Sequence, residues 1–365
     1  MSLWTGIVGE ANTRAAMAFN TVLTQKIVIG LAKHRVFFRM LFGGIPRSAG
    51  NQAQGSMPNG HLTFEKITYA SGTKYEMQFL GRLDDFQFLA DGNDEVALLG
   101  ASVNTDDVAF FTWDLAHYYK REFITGSETK SIRGDRLKSE QLVDFKLRKI
   151  GEEYARFVNT RLFGNTNQAR GSIAGLDYII SATNTYGATR SSAGNEFLQS
   201  YVAAFTGSAF NLDQLLLAQN NICANNGDAK CGFMGTTVFS YLQHELQEHG
   251  LVLMNPNGHS ADGFGATQNA YARHGITDYY HDNDCGNKRV YMLSMGQSDL
   301  PYWKWVMDED PLITTGAIRA SERADAYMIP VVAWGGLFCA HPAAQGKMTA
   351  VDTTADIAAP SAWAA

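Results

Sequence analysis

The sequence predicts an α+β protein organised around one long helix, with an extended two-stranded ribbon before it and a second region of short helices and strands after it. Three observations carry this prediction: a helical pattern over 139–164, a period-two alternation over 74–79, and a return of strand-like residues over 103–123. Amphipathic helices repeat their apolar residues every three or four positions, whereas half-buried strands alternate them with polar residues.

The long helix is predicted over 139–164 because its apolar residues recur at alternating steps of four and three. These residues are Val143, Leu147, Ile150, Tyr154, Phe157, Val158 and Leu162. Ser139 can cap the first turn, and Gly164 suits the position just past the C-terminus. The helix spans roughly 36 Å, against a radius of gyration of about 21 Å for a compact chain of this length. An ordinary core helix has the same pattern, so the helix alone does not identify the fold, and the prediction depends on the flanking segments.

The composition is that of a large folded chain with few charges. Of its 365 residues, 45% are hydrophobic and only 18% are charged, against about 25% charged in a typical soluble domain. Burial of the surface against other chains explains this deficit, and so does a loop-rich protein with 35 glycines. The net charge of −6 and the lack of a Lys/Arg cluster argue against a nucleic-acid reader.

Neither a membrane span nor a signal peptide is predicted. The sequence has no uncharged apolar run long enough for a span, and its first residues lack the basic-then-apolar order of a signal peptide. The cysteines form no CxxC pair, and we interpret them as reduced thiols in a cytosolic setting. They are Cys223, Cys231, Cys285 and Cys339.

An apolar, helix-like segment over 10–42 ends in the run VFFRMLF and is interrupted by Lys and Arg residues. It is too charged to span a bilayer, so we predict an amphipathic surface helix or an arm that docks on a partner. The next residues, up to position 60, are rich in Gly, Pro, Ser and Asn and predict a flexible strap.

The ribbon is predicted from the segments 74–79 and 103–123, which are separated by a turn-rich break at 89–95. A two-stranded ribbon is not stable alone in water. It must therefore lie on the body of the protein or, if it projects, on a neighbouring subunit.

The region after the long helix begins with a loop-rich stretch over 165–196. A second α/β region follows from Phe197, with two helices and several short strands. The chain returns to long strands around the core run PVVAWGGLF, and 346–365 reads as a surface tail of small residues.

Two local clusters suggest chemistry and are rejected. His244 and His249 are five residues apart, which places them about 140° apart around a helix, so they do not form the zinc pair of a metalloprotease. The run HDNDC at 281–285 is interpreted as a solvated polar turn.

Other acidic clusters give no stronger signal. DGNDE at 91–95 lacks the order of an EF-hand loop, and the pairs Asp84–Asp85 and Asp106–Asp107 fall in polar turns. No phosphate-binding glycine loop or nucleophile elbow is present. We therefore predict no catalytic, cofactor-binding or metal-binding residue and no enzymatic activity.

The order of elements resembles the major capsid proteins of tailed bacteriophages, which have the Hong-Kong-97-type fold, and is most similar to the coat proteins of podoviruses related to phage N-four. The similarity extends over about 60–165 and is looser after 200. The residues that carry it are GTKYEMQFL (72–80), LADGNDEVALL (89–99), DLAHYYK (114–120), DFKLRKIGEEY (144–154) and LFG (162–164).

This resemblance implies an α+β fold with an N-terminal arm, an extended β-hairpin loop, a peripheral domain with a long spine helix, and an axial domain. The implied boundaries are 1–60 for the arm, 61–135 for the extended loop, 136–200 for the peripheral domain with spine helix 139–164, 201–309 for the axial domain, 310–345 for a return to the peripheral domain, and 346–365 for a C-terminal tail.

The resemblance also implies a function without catalysis. The chain would form pentamers and hexamers with itself and close into an icosahedral head shell around packaged double-stranded DNA, assembled in the host cytoplasm and found in the virion. A separate scaffolding protein, a portal and a cement or decoration protein are the implied partners, and DNA would be contacted non-specifically. Some relatives crosslink through Lys and Asn, but Lys66 and Lys74 are interpreted as plain surface lysines.

The sequence leaves three alternatives to a phage capsid protein open. A cellular nanocompartment shell shares the fold but encloses cargo enzymes. A tail, portal or decoration protein is a second alternative. An enzyme with dispersed catalytic residues is the third, and it would place a pocket around His244, His281 and Cys285.

Overall fold

The fold is taken from a computed structural model that describes residues 35–43, 65–68, 74–80, 108–131, 136–185, 188–189, 198–204, 211–248, 271–297, 300–307, 314–315, 319–320 and 326–351. The helices in this part of the chain are α1 (Val36–Gly43), α2 (Gly126–Ser131), α3 (Arg136–Leu162), α4 (Leu176–Ile179), α5 (Leu212–Ala224) and α6 (Thr236–Glu248), and a 3-10 turn spans Pro342–Ala344.

The strands of the described residues belong to two larger sheets and three two-stranded sheets. They are β1 (Glu65–Thr68), β2 (Lys74–Leu80), β3 (Val108–Asp114), β4 (Ala116–Thr125), β5 (Asn184–Thr185), β6 (Ala188–Thr189), β7 (Tyr201–Ala204), β8 (Cys231–Met234), β9 (Tyr271–His274), β10 (Thr277–His281), β11 (Val290–Leu293), β12 (Gly296–Gln297), β13 (Leu300–Pro301), β14 (Trp303–Met307), β15 (Thr314–Thr315), β16 (Arg319–Ala320), β17 (Ala326–Cys339) and β18 (Gly346–Thr349). This mixture of helices and sheets confirms the predicted α+β class.

The first large sheet is built on the long strand β17. Strands β14, β15, β16 and β4 all pair with β17, and β1 pairs with β14. The contact with β4 is antiparallel over ten residue pairs, from Ala326–Thr125 to Gly335–Ala116. Helix α3 covers one face of this pair, where the ring of Tyr118 meets the rings of Tyr154 and Phe157.

The second large sheet has the order β7-β18-β11-β8-β10-β9 and separates two hydrophobic cores. Its strands β8 and β11 are buried on both faces. Phe233 and Tyr291 belong to the core that also contains α3 and β17. Met234 and Met292 belong to the core formed with α5 and α6. Each strand therefore contributes alternate residues to opposite sides of the sheet.

The long helix is confirmed as α3, but it begins at Arg136 rather than at Ser139. Ser139 therefore lies inside the helix and does not cap it, while Gly164 does follow the C-terminus and donates its N–H to the carbonyl of Arg161. One residue of the predicted apolar stripe of α3 is not buried. Phe157 is 43% exposed, because it meets β4 only at its edge through the ring of Tyr118.

The predicted ribbon strand over 103–123 is divided at Leu115. Before it, β3 pairs with β2 over seven residues, from Lys74–Asp114 to Leu80–Val108. After it, β4 leaves the ribbon and joins β17, so residues 116–125 belong to the body sheet rather than to the extended loop. Main-chain and side-chain hydrogen bonds hold this switch point: His117 donates its N–H to the carbonyl of Arg170, and Gln168 Nε2 donates to the carbonyl of Asp114.

Part of the predicted N-terminal arm packs into the body of its own chain. Phe37 and Phe38 in α1 are fully buried, and the ring of Phe37 lies 4.8 Å from that of Phe233 and 5.6 Å from that of Phe163. The prediction that the VFFRMLF run docks on a partner is therefore wrong for these residues. Positions 1–34 of the arm and the strap at 44–60 lie outside the described residues.

The prediction of a surface tail over 346–365 is wrong for 346–351, because β18 pairs with β7 and β11 and the side chains of Met348 and Val351 are fully buried. The other domain boundaries stay a prediction.

Gly175, which precedes α4, provides a test of this packing. A Cβ at this position would overlap the backbone carbonyl oxygens of Gly164 and Arg161 at the end of α3. We expect Gly175→Ala to lower the free energy of unfolding by about 1–3 kcal/mol, because the obstruction is main chain and cannot rotate away. Urea denaturation of the unassembled protein measures this change. Gly171→Ala is the matched control, since a Cβ there meets nothing within 4 Å; an equal loss in both variants would contradict the argument.

Candidate interaction surface

The residues considered for chemistry do not come together as a reactive site. His281 Nε2 lies 2.7 Å from Thr236 Oγ1 at the start of α6, and its ring stacks on Phe239. Cys285 is buried, and burial raises the pKa of its thiol well above the ordinary value. His244 is on α6, whereas His249 lies outside the described residues. Within the described part of the chain, no group of three or more His, Cys, Asp or Glu side chains could hold a metal ion.

All four cysteines are free, and their reduced state in a cytosolic setting stays a prediction. Lys66 and Lys74 lie on β1 and β2. The acidic pairs at 84–85 and 106–107 and the DGNDE run lie outside the described residues. No described helix is both long and apolar enough to cross a membrane.

The interpretation of 281–285 as a solvated turn is wrong for Asp282, which is fully buried. Its carboxylate accepts hydrogen bonds from the N–H of Phe37 at 3.0 Å and from Asn159 Nδ2 at 2.8 Å. Local composition cannot reveal this role, because both partners are more than a hundred residues away in the sequence.

A second buried polar cluster joins α4 to the second sheet. Asp177 Oδ1 lies 3.1 Å from Lys347 Nζ, and its other oxygen forms an ion pair with Arg289. Tyr291 OH donates to Asp177 Oδ1 at 3.5 Å. Asp177 and Lys347 are both buried. This cluster binds α4 to strands β11 and β18, and no local sequence pattern predicts it.

Strand β4 has two faces of opposite character. The face toward α3 carries charged residues, and Lys146 and Lys149 of α3 each lie 3.6 Å from Glu122. Lys146 also reaches Glu128 at 3.0 Å, and Lys120 of β4 pairs with Glu153 of α3. These contacts fix the strand on the helix and direct its other face away from the body.

That other face is largely apolar, and we call it the outer sheet face. Tyr119 and Phe123 are 47% and 41% exposed. Opposite each outward-facing residue of β4 from His117 to Phe123 stands a partly exposed residue of β17, since directly paired residues in an antiparallel sheet share a face. The outer sheet face consists of His117, Tyr119, Arg121, Phe123, Met328, Pro330, Val332 and Trp334.

Contacts within the outer sheet face keep its aromatic rings in place. The imidazole of His117 stacks on Trp334 with ring centroids 3.9 Å apart, and Arg121 lies 5.0 Å from the ring centroid of Tyr119. Burial and the nearby charge of Arg170 lower the pKa of His117, so the stacked imidazole is neutral at pH 7. The face is therefore preorganised for an apolar partner.

Other exposed apolar residues lie elsewhere on the molecule. Phe145 is 64% exposed on α3, and Leu217 on α5 is 56% exposed. Leu216 of α5 and Ile276 in the β9–β10 turn are also exposed. Apolar side chains that are exposed singly are common on protein surfaces, so these positions do not by themselves indicate an interface.

The sequence matches no family model, and no curated protein is similar to it. Solved structures do resemble it. The SrpI encapsulin of Synechococcus elongatus PCC 7942 aligns with a TM-score of 0.53 and 9% identity over 86% of this chain and 95% of its own. The capsid protein of cyanophage A-1(L) aligns with a TM-score of 0.53 and 10% identity over 83% of this chain and 95% of its own.

A third structure, the capsid of an empty GTA particle, aligns with a TM-score of 0.53 and 10% identity over 84% of this chain and 95% of its own. These structural neighbours are shell proteins with the Hong-Kong-97-type fold. The chain therefore has the Hong-Kong-97-type capsid fold, as predicted.

Proposed function

We propose that this chain is a major capsid protein that assembles with copies of itself into the icosahedral head shell of a tailed bacteriophage, around double-stranded DNA. The observation that carries the proposal is an apolar outer sheet face on a Hong-Kong-97-type fold. The resemblance of its β2, β4 and α3 segments to the coat proteins of N-four-like podoviruses supports that narrower assignment.

The outer sheet face has the chemistry of a surface between subunits. Full burial of an aromatic or large aliphatic side chain stabilises by about 1.5–3 kcal/mol, and Tyr119 and Phe123 leave roughly half of that unrealised in the isolated chain. Obligate interfaces bury about 2,000 Å² or more and are apolar. A second copy of this chain is the occupant we propose, because a closed shell repeats one contact in every subunit.

The β2–β3 ribbon is the segment that we propose lies on the outer sheet face of the neighbouring copy. Its two strands pair with each other and with no other strand among the described residues. A ribbon of this kind is not stable alone in water. Its base is supported by Trp113, which packs against Phe338 of the same chain, and an apolar sheet face would support the rest.

The remaining parts of the proposal follow from the same assignment. The chain acts without a cofactor and is not an enzyme. Pentamers and hexamers form in the host cytoplasm with a separate scaffolding protein, join a portal and in some phages a cement protein, and contact DNA non-specifically in the virion.

A cellular nanocompartment shell is the second candidate, because the SrpI encapsulin aligns as well as the phage capsids do. The two differ in what the shell encloses. A phage shell holds nuclease-protected DNA, whereas a nanocompartment holds a cargo protein.

The test is negative-stain electron microscopy with light scattering on the full chain, expressed alone and with scaffolding candidates. We expect shells, tubes, sheets or rings of five and six subunits. Nuclease digestion and mass spectrometry of purified shells then separate DNA from protein cargo. A homogeneous monomer or dimer under every condition would overturn the proposal and favour an enzyme.

A further inference from the structure

Helix α1 is capped by side chains from two distant parts of the chain. The first N–H groups of a helix have no acceptor within it. In α1, Phe37 donates its N–H to Asp282 Oδ2 at 3.0 Å, and Phe38 donates to Asn159 Oδ1 at 3.1 Å. A carboxylate at this end also suits the positive end of the helix dipole. The start of α1 is therefore bound by α3 and by the turn after β10.

The same side chains bind one another. Asn159 Nδ2 donates to Asp282 Oδ1 at 2.8 Å and to Asp284 Oδ2 at 2.7 Å. The N–H of Asp284 donates to Asp282 Oδ1 at 3.0 Å, and Arg35 lies 3.2 Å from the Asp284 carboxylate. Asn159 thus bridges two acidic groups, and both oxygens of Asp282 are engaged.

This network is closed to water at its centre. Asp282, Asn159, Phe37 and Phe38 are fully buried. A buried ionised carboxylate is costly even when it accepts hydrogen bonds. The cost is removed either by a proton on Asp282 or by movement of α1 away from it.

We propose that Asp282, Asn159 and Asp284 form a proton-responsive latch that holds α1 on the body of the protein. The latch is tight at acidic pH and opens more often as the pH rises. It concerns a conformational equilibrium within one chain, so it does not depend on the proposed shell.

The direction in which pH changes the opening of α1 follows from proton linkage. Burial is the main cause that raises the pKa of Asp282 to about 6, and the nearby Asp284 carboxylate raises it further, while the hydrogen bonds from Phe37, Asp284 and Asn159 oppose the rise. When α1 leaves, Asp282 meets water and its pKa returns to about 3.9. The closed state therefore binds the proton more tightly, and acid favours closure. With these two values, the opening constant increases about tenfold between pH 5 and pH 8.

The other groups around Asp282 do not reverse this direction. Arg35 contacts the Asp284 carboxylate and not that of Asp282. Burial raises the pKa of Cys285 and that of Tyr154, so both stay protonated. Asp284 is partly exposed beside Arg35, and it acts as the like charge next to Asp282.

Hydrogen exchange followed by mass spectrometry on the full chain tests the latch. The readout is the opening constant of the α1 amides from pH 5 to pH 8, after correction for the intrinsic exchange rate. In the wild type we expect the tenfold increase. Asp282→Asn keeps an acceptor at Oδ1 for Asn159 and Asp284 but places an NH₂ group against the N–H of Phe37. It should open more at every pH and show no pH dependence.

Asp213→Asn is the matched control, because Asp213 is an exposed acid in the first turn of another helix, α5. It should keep the wild-type profile. Asp284→Asn removes the like charge next to Asp282, so the pH midpoint of the change in the opening constant should be lower than in the wild type. This variant tests the proposal even if Asp282→Asn does not fold. A flat wild-type profile, an opening constant that falls with pH, or an unmoved midpoint in Asp284→Asn would overturn the proposal.

Discussion

We expect Phe123→Asp to abolish the proposed shell assembly and to leave the fold of the subunit intact. Phe123 lies on the exposed side of β4, opposite Met328 of β17, so an aspartate there stays hydrated in the isolated chain. In an assembled shell the same carboxylate would be buried against the neighbouring copy without a partner. Loss of the remaining apolar burial of Phe123 alone costs about 1 kcal/mol, which is about fivefold in the association constant of each contact, and burial of an unpaired carboxylate adds to this cost.

The measurement is electron microscopy with light scattering, under the conditions in which the wild type assembles. Phe123→Tyr is the matched control, since it keeps the ring and should still assemble. Circular dichroism and urea denaturation of the unassembled subunit check that the fold is retained, and we expect a change within about 1 kcal/mol. If Phe123→Asp assembled to the same extent as the wild type, the outer sheet face would not be an interface. The proposal of a shell would then depend on other surfaces.

Segments whose partners are close in the sequence were predicted well. The helix pattern over 139–164 predicted α3 within three residues at each end, because i to i+4 periodicity is a local property. The alternation over 74–79 predicted β2 in the same way. The overall order of elements was sufficient to predict the capsid fold.

Features that depend on distant partners were missed. An arm docked on a neighbouring subunit and a helix packed in the core of the same chain both need apolar residues, so the run VFFRMLF does not distinguish between them. Strand β4 carries Lys120 and Glu122 on its buried face and Tyr119 and Phe123 on its exposed face. Alternation alone cannot tell which face is buried, and the charges face inward only because α3 supplies opposite charges. Asp282 was assigned to a solvated turn for the same reason.

Asp177→Ala is expected to reduce the free energy of unfolding by about 3–5 kcal/mol, the range for removing one partner of a buried ion pair. Its carboxylate is the anion for both Lys347 and Arg289. The Arg289 side chain is 38% exposed and can be hydrated when the carboxylate is lost. Lys347 is only 9% exposed; its Nζ would keep the main-chain oxygen of residue 177 at 2.7 Å but lose the carboxylate oxygen at 3.1 Å. Loss of the Asp177 carboxylate beside this buried ammonium group is the main source of the expected destabilisation.

A second substitution separates this cause from simple loss of packing. In the pair Asp177→Asn with Lys347→Met, the buried cation is removed together with the anion, and we expect recovery of most of the stability that Asp177→Asn loses alone. Lys230→Met is the matched lysine control, because the Lys230–Asp228 pair is at the surface with 45% of the lysine side chain exposed. It should cost less than about 1 kcal/mol. Urea denaturation of the unassembled protein, with an unchanged m-value, gives these free energies. A loss that persists when Lys347 is also replaced would mean that Asp177 stabilises the α4 junction by its hydrogen bonds and not by its charge.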